Sequence, residues 1–139
     1  MATVIRPQIS EKNRYWIDKH RHYELKHFCL QYPEWVKSYS DLNTISSSLS
    51  RLGGLGSSNI PGDPTAKCVL RKERYLERIK MIERAAKEAD PDLYLYILKG
   101  VTEGLSYTHL KSRFEIPCGK DLYYDRYRRF FWLLSESRG

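Results

Sequence analysis

The sequence has no apolar run long enough to cross a bilayer, no signal-peptide pattern and no lipidation motif. These absences exclude a membrane-spanning reading and predict a cytoplasmic protein. It has only three cysteines, Cys29, Cys68 and Cys118, odd in number and far apart. That usage fits a reducing compartment and excludes a disulfide framework. No β alternation and no internal repeat is present, so neither a sheet nor a repeat array is expected. No hydrolase, nuclease or kinase signature occurs. Gly53, Gly54 and Gly56 are not followed by the Lys-Ser/Thr of a phosphate-binding loop, and no strand pattern precedes them.

What is present is basic and aromatic. The 139 residues carry a net charge of +7, with eleven tyrosines and three tryptophans. With 41% apolar and 29% charged residues the composition is that of a folded domain, not a disordered chain. The positive charge is clustered: seven Lys/Arg against four acids in 1–40, eight against four in 64–89, seven against four in 106–139. Such basic regions attract phosphate, although the same charge serves solubility in many proteins.

The helical pattern runs nearly end to end, so the expected class is all-α with five to six helices. Residues 1–9 read as a loose arm. A first helix is expected over about 13–31, with a cap signal at Ser10 and Asn13. Its apolar and aromatic residues, among them Tyr15, Trp16, Tyr23 and Phe28, form no single stripe. They serve either the core or a protein-binding surface. Pro33 suits the first turn of a second helix reaching about Ser48. Three segments follow from this: an aromatic-rich helical region, 1–49; a Gly/Ser-rich linker, 50–63; and a helical domain, 64–139. Asp63-Pro64 opens a helix predicted to end near Ala89, which at 26 residues is about 39 Å long. Asp90-Pro91 repeats the device, and the helix over 91–103 is nearly apolar all round before Gly104 ends it.

Residues 106–134 carry the most specific signal. Ser106 caps a two-turn helix, Tyr107 to Phe114, whose Leu110 and Phe114 should face inward. Ile116 should plug the turn that follows. A second helix begins near Gly119 or Lys120, with Tyr123, Tyr127, Phe130, Phe131 and Leu134 in one arc. This is the layout of a helix-turn-helix, with a slightly long turn at Pro117-Cys118-Gly119 and Glu115 where glycine is usual. Recognition helices read base edges chiefly with N-terminal residues. Lys120, Asp121, Tyr124, Asp125 and Arg128 are therefore the candidates for base or near-base contact. Arg126 and Arg129 are the candidates for phosphate.

Other constellations are weaker. On a helix His20 and His27 share a face while His22 and Cys29 lie nearly opposite, so no metal is expected. Cys118 and His109 lack a positioned third group, so no catalytic residue is assigned.

The layout resembles the RinA/ArpU group of phage late-gene transcription regulators over roughly 30–134. The resemblance rests on Leu30-x-Tyr32-Pro33, on Asp63-Pro64-Thr65 after the linker, and on the Arg74, Tyr75-Leu76, Ile79, Ile82-Glu83, Ala85 helix. It is completed by Leu122-Tyr123-Tyr124-x-Arg126-x-Arg128-Arg129 in the terminal unit. It implies a fold whose end is similar to promoter-reading region 4 of sigma factors, with 119–130 as the promoter-contacting helix. It also implies double-stranded DNA as ligand, host RNA polymerase as a further partner and a bacterial cytoplasm as location. A single module usually binds weakly, so a homodimer or polymerase contact is expected. Two other classes fit the same size and charge. One is a DNA-packaging adaptor like a small terminase subunit. The other is a non-catalytic phage inhibitor of a host protein, such as an anti-CRISPR.

Overall fold

The computed structural model describes residues 12–51 and 64–139. The expected arm at 1–9, the caps at Ser10 and Asp63 and most of the linker lie outside these residues. Among the described residues the regular structure is entirely helical: α1 (Lys19–Leu30), α2 (Tyr32–Arg51), α3 (Pro64–Ala89), α4 (Tyr94–Glu103), α5 (Tyr107–Phe114) and α6 (Lys120–Arg138). The chain divides into two compact units, one of residues 1–31 with 81–139, the other of 32–80. These units cut across the expected segments, since both 1–49 and 64–139 are shared between them.

The first helix starts later than its composition suggests. Asn13 Oδ1 accepts from the Tyr15 backbone N–H at 2.8 Å, and Trp16 N donates to the Asn13 carbonyl at 3.0 Å. A side chain that closes its own turn competes with helix formation. Asp18 is the actual cap, its Oδ2 accepting from His20 N at 3.0 Å. The aromatics divide between the two expected roles: Tyr15 and Phe28 are buried, while Trp16 and Tyr23 stay exposed.

In the larger unit α1 packs on α4 and α6, and α4 also meets α5. Leu25, Phe28 and Cys29 of α1 meet a core that includes Ile97 and Val101 of α4 and Phe130, Phe131 and Leu134 of α6. Arg21 fastens the far end, donating from Nε to Ser135 Oγ at 3.1 Å and from Nη2 to the Ser135 carbonyl at 3.0 Å. Arg138 lies over the Phe28 ring, 3.9 Å from its centroid. α4 is not buried all round, as its composition suggested: Leu95 is 64% exposed. Its one buried polar side chain, Thr102, donates to the Leu98 carbonyl at 2.7 Å.

The closeness of α4 and α6 depends on Gly100. A Cβ there would collide with the Tyr123 hydroxyl. Tyr123 is fully buried, and its hydroxyl has no hydrogen-bond partner. Burial, reinforced by Tyr127 and Tyr124, holds its pKa far above the usual phenol range.

In the smaller unit α2 and the first part of α3 pack together. Trp35, Cys68 and Ile79 are buried, and Cys68 Sγ donates to the Leu42 carbonyl at 3.5 Å. Lys72 lies over Tyr39 and Arg78 over Trp35, at 5.9 and 5.7 Å from the ring centroids.

Two expectations follow. Gly100→Ala forces a rigid ring to move and lowers stability by about 1–3 kcal/mol. Tyr123→Phe removes an unpartnered hydroxyl and is near neutral alone, but restores most of the loss in the double variant, a coupling that denaturant unfolding of the four proteins measures. His22 packs edge-on against Phe131 at 4.8 Å, and burial, with Lys26 nearby, lowers its pKa from 6.5 to about 4. The unfolded chain therefore binds a proton that the folded chain refuses. The stability from neutral His22 is whole above pH 6.5 and is lost as pH falls toward about 4. The unfolding midpoint should drop from about pH 7 to about pH 5, and His22→Phe should shrink that drop.

Candidate nucleic-acid interface

α5 forms where Ser106 stops the chain extending: its Oγ accepts from His109 N at 3.3 Å. The helix ends at Glu115, which takes the left-handed conformation, φ 52° and ψ 45°. That is the position where glycine carries no steric penalty. Glu115 and Ile116 both donate their backbone N–H to the Leu110 carbonyl, and the Ile116 side chain is fully buried. Leu110 is buried as expected. Phe114 is not: it is 38% exposed, with the Lys99 ammonium 4.7 Å from its ring centroid. Phe114 is the last residue of α5 before the chain reverses at Glu115, and Ile116 fills the interior.

Residues 115–119 join α5 to α6, which begins at Lys120 as expected. Two tyrosines lace the corner. Tyr107 donates its hydroxyl to the Cys118 carbonyl at 2.7 Å, and the Tyr107 N–H donates to the Tyr124 hydroxyl at 3.2 Å. Tyr123, Phe130, Phe131 and Leu134 are buried, and Tyr127 is half-buried against Phe131. The inner face of α6 is thus an aromatic ladder, which sets what its outer face offers.

The seven candidate contact residues do not share one environment. Lys120 and Asp121 are exposed in the first turn of α6. Tyr124 is half-buried and engaged with the start of α5. Arg126 donates from Nε to Asp90 Oδ2 at 3.0 Å and from Nη1 to Asp125 Oδ2 at 2.6 Å. These bonds, Asp90's first, raise its pKa further. Two of its donor nitrogens, and one oxygen of Asp125, are therefore committed inside the fold. Arg128 and Arg129 are half-exposed, with Arg128 Nε buried and unpartnered. The solvent-facing part of the set is Lys120, Asp121, Arg128 and Arg129, flanked by exposed Lys111 and Arg113 on α5.

Sequence reading missed Asp90 as a partner of this region. Its Oδ1 accepts from Asp92 N and Leu93 N, at 2.9 and 3.2 Å, while its Oδ2 takes Arg126. Asp90-Pro91 was legible as a device that turns the chain, but α4, expected from 91, begins only at Tyr94, with Leu93 as its N-cap and no side-chain cap bond; the ion pair 36 residues away had no local signal. His109 Nδ1 sits 3.3 Å from Ser106 Oγ. Burial and then Asp90 raise the Cys118 pKa. Among the described residues no group of three or more His, Cys, Asp or Glu is placed to hold a metal ion.

Arg126→Ala should cost about 1–2 kcal/mol, because it leaves two carboxylates without their cation. Asp90→Ala should cost more, since two backbone N–H groups lose their acceptor as well. Chemical denaturation of the two variants measures the order. No family model, no curated protein and no solved structure matches the chain.

Proposed function

We propose that α5, residues 115–119 and α6 form a helix-turn-helix that binds double-stranded DNA sequence-specifically, in a transcription regulator. The observation that carries this reading is the two-sided character of α6. Its inner face is fixed by buried Tyr123, Phe130 and Leu134, and its outer face offers Lys120 and Asp121 in the first turn and Arg128 and Arg129 further along. First-turn side chains suit base edges, and arginines beyond them suit phosphates. Tyr124, Asp125 and Arg126 act in this proposal as positioning residues, because their polar groups already serve the corner. The net charge of +7 supplies the long-range attraction.

The resemblance to RinA/ArpU regulators extends the proposal to a phage-type activator of late or packaging genes. Such an activator acts in a bacterial cytoplasm, contacts host RNA polymerase and binds as a homodimer. A second reading, an inhibitor that binds a host protein, is favoured by exposed Trp16 and Tyr23, since exposed aromatics are common interface anchors.

Selection from a random duplex pool tests the first reading. The wild-type chain should enrich a defined sequence. Lys120→Ala/Arg129→Ala should lose that enrichment, with an affinity loss of about tenfold or more, while remaining folded. Failure of the wild-type chain to enrich any duplex would overturn DNA recognition and leave the inhibitor reading.

A further inference from the structure

α3 carries a feature that the helix-turn-helix does not use. Lys67, Arg71, Arg74 and Arg78 recur at spacings of four, three and four. At 100° per residue they fall within an arc of about 60° and run for about 16 Å along the helix. All four are exposed. Between residues 67 and 78 no other side chain falls in that arc, so the stripe is neither acidic nor apolar.

The rest of α3 is built differently. Glu73, Glu77 and Lys80 lie on another side, at spacings where opposite charges support a helix. Arg71 and Arg78 have no acid three or four residues away in either direction. None of the four makes an ion pair among the described residues. Like charges at these spacings repel and destabilise the helix. A face that served only solubility would intersperse acids, as the neighbouring side does. Arg78 is also held in place, its guanidinium lying over the Trp35 ring.

We propose that the Lys67–Arg71–Arg74–Arg78 stripe is a sequence-independent binding surface for the phosphate backbone of double-stranded DNA. The chemistry selects this occupant. A straight row of cations about 16 Å long spans the axial distance over which one DNA strand carries about five phosphates. Three of the four are arginines, whose planar forks suit phosphate oxygens. A protein partner would need an apolar or aromatic anchor at the centre of the contact, and a membrane surface would need an apolar wedge; the arc holds neither, and the exposed Leu70 lies beside it, not at its centre. The inference shares its ligand with the reading of α5 and α6 as a DNA reader and rests on it to that extent. It assigns the stripe the non-specific share of the binding.

The test uses the full chain and two labelled duplexes of unrelated sequence, titrated by fluorescence anisotropy at several salt concentrations. Lys67→Ala/Arg71→Ala/Arg74→Ala leaves Arg78 on Trp35 and replaces exposed residues with a good helix former, so circular dichroism should be unchanged. Expected is a loss of about tenfold or more on both duplexes alike, with the slope of log K against log salt shallower by about two to three. A charge-preserving variant, Arg71→Lys/Arg74→Lys, should retain most of the binding. If the wild-type chain binds and the triple variant binds with the same affinity and slope, the stripe proposal is overturned while the α6 reading stands. If the triple variant loses binding on both duplexes and Lys120→Ala/Arg129→Ala enriches the same sequence as the wild-type chain in the duplex selection, the stripe stands and the α6 reading falls. If the wild-type chain shows no salt-dependent binding to either duplex, both fall.

Discussion

Residue 100 has no side chain, and the packing of α6 against α4 depends on that. Tyr123 enters the space a Cβ would fill, and the rings of Tyr107, Tyr124 and Tyr127 gather round it at 5.0–6.0 Å. The arrangement buries a large apolar ring at the expense of one hydroxyl left without a partner, a trade that favours burial when the ring is large. Once Tyr123 is seated, the rotation of α6 about its own axis is fixed. Which of its side chains face water is then a consequence of packing and not a separate design.

The same constraint sorts the arginines. Arg21 is bound to Ser135, Arg126 to Asp90 and Asp125, and Arg138 to the face of Phe28. These cations hold helices together; Arg21 and Arg126 also have carboxylates against them, Glu24 for the first and Asp90 and Asp125 for the second, which offset their charge. On α3, Arg71 and Arg74 are exposed and make no ion pair among the described residues. A net charge of +7 therefore describes two populations, one spent on structure and one open to solvent. Only the second bears on what the protein binds.

Local chemistry made much of this legible in the sequence. Ser106 caps α5, Gly104 closes α4 in the left-handed conformation, and the Tyr123–Phe130–Leu134 spacing marks the inner face of α6. Each is a property of a few adjacent residues. α1 starts later than its sequence pattern because Asn13 turns on itself and the side chain that caps the helix, Asp18, lies five residues on. Helical spacing turns Phe114 inward because it is blind to where the chain reverses. The candidate contacts at Tyr124 and Arg126 looked like surface groups because their partners, Tyr107 and Asp90, lie 17 and 36 residues away. Periodicity gives faces; it does not say which distant group is waiting at a face.

Arg21 and Ser135, bonded to one another, are separated by 114 residues. On a ribosome adding about 5–20 residues per second, the second partner follows the first by about 6–23 s. Throughout that interval Leu25, Phe28 and Cys29 have no α6 to pack against, and the larger unit cannot close. The smaller unit, 32–80, is complete in sequence well before then. Assembly of this chain is thus ordered by its topology: the middle is available first, and the beginning must wait for the end.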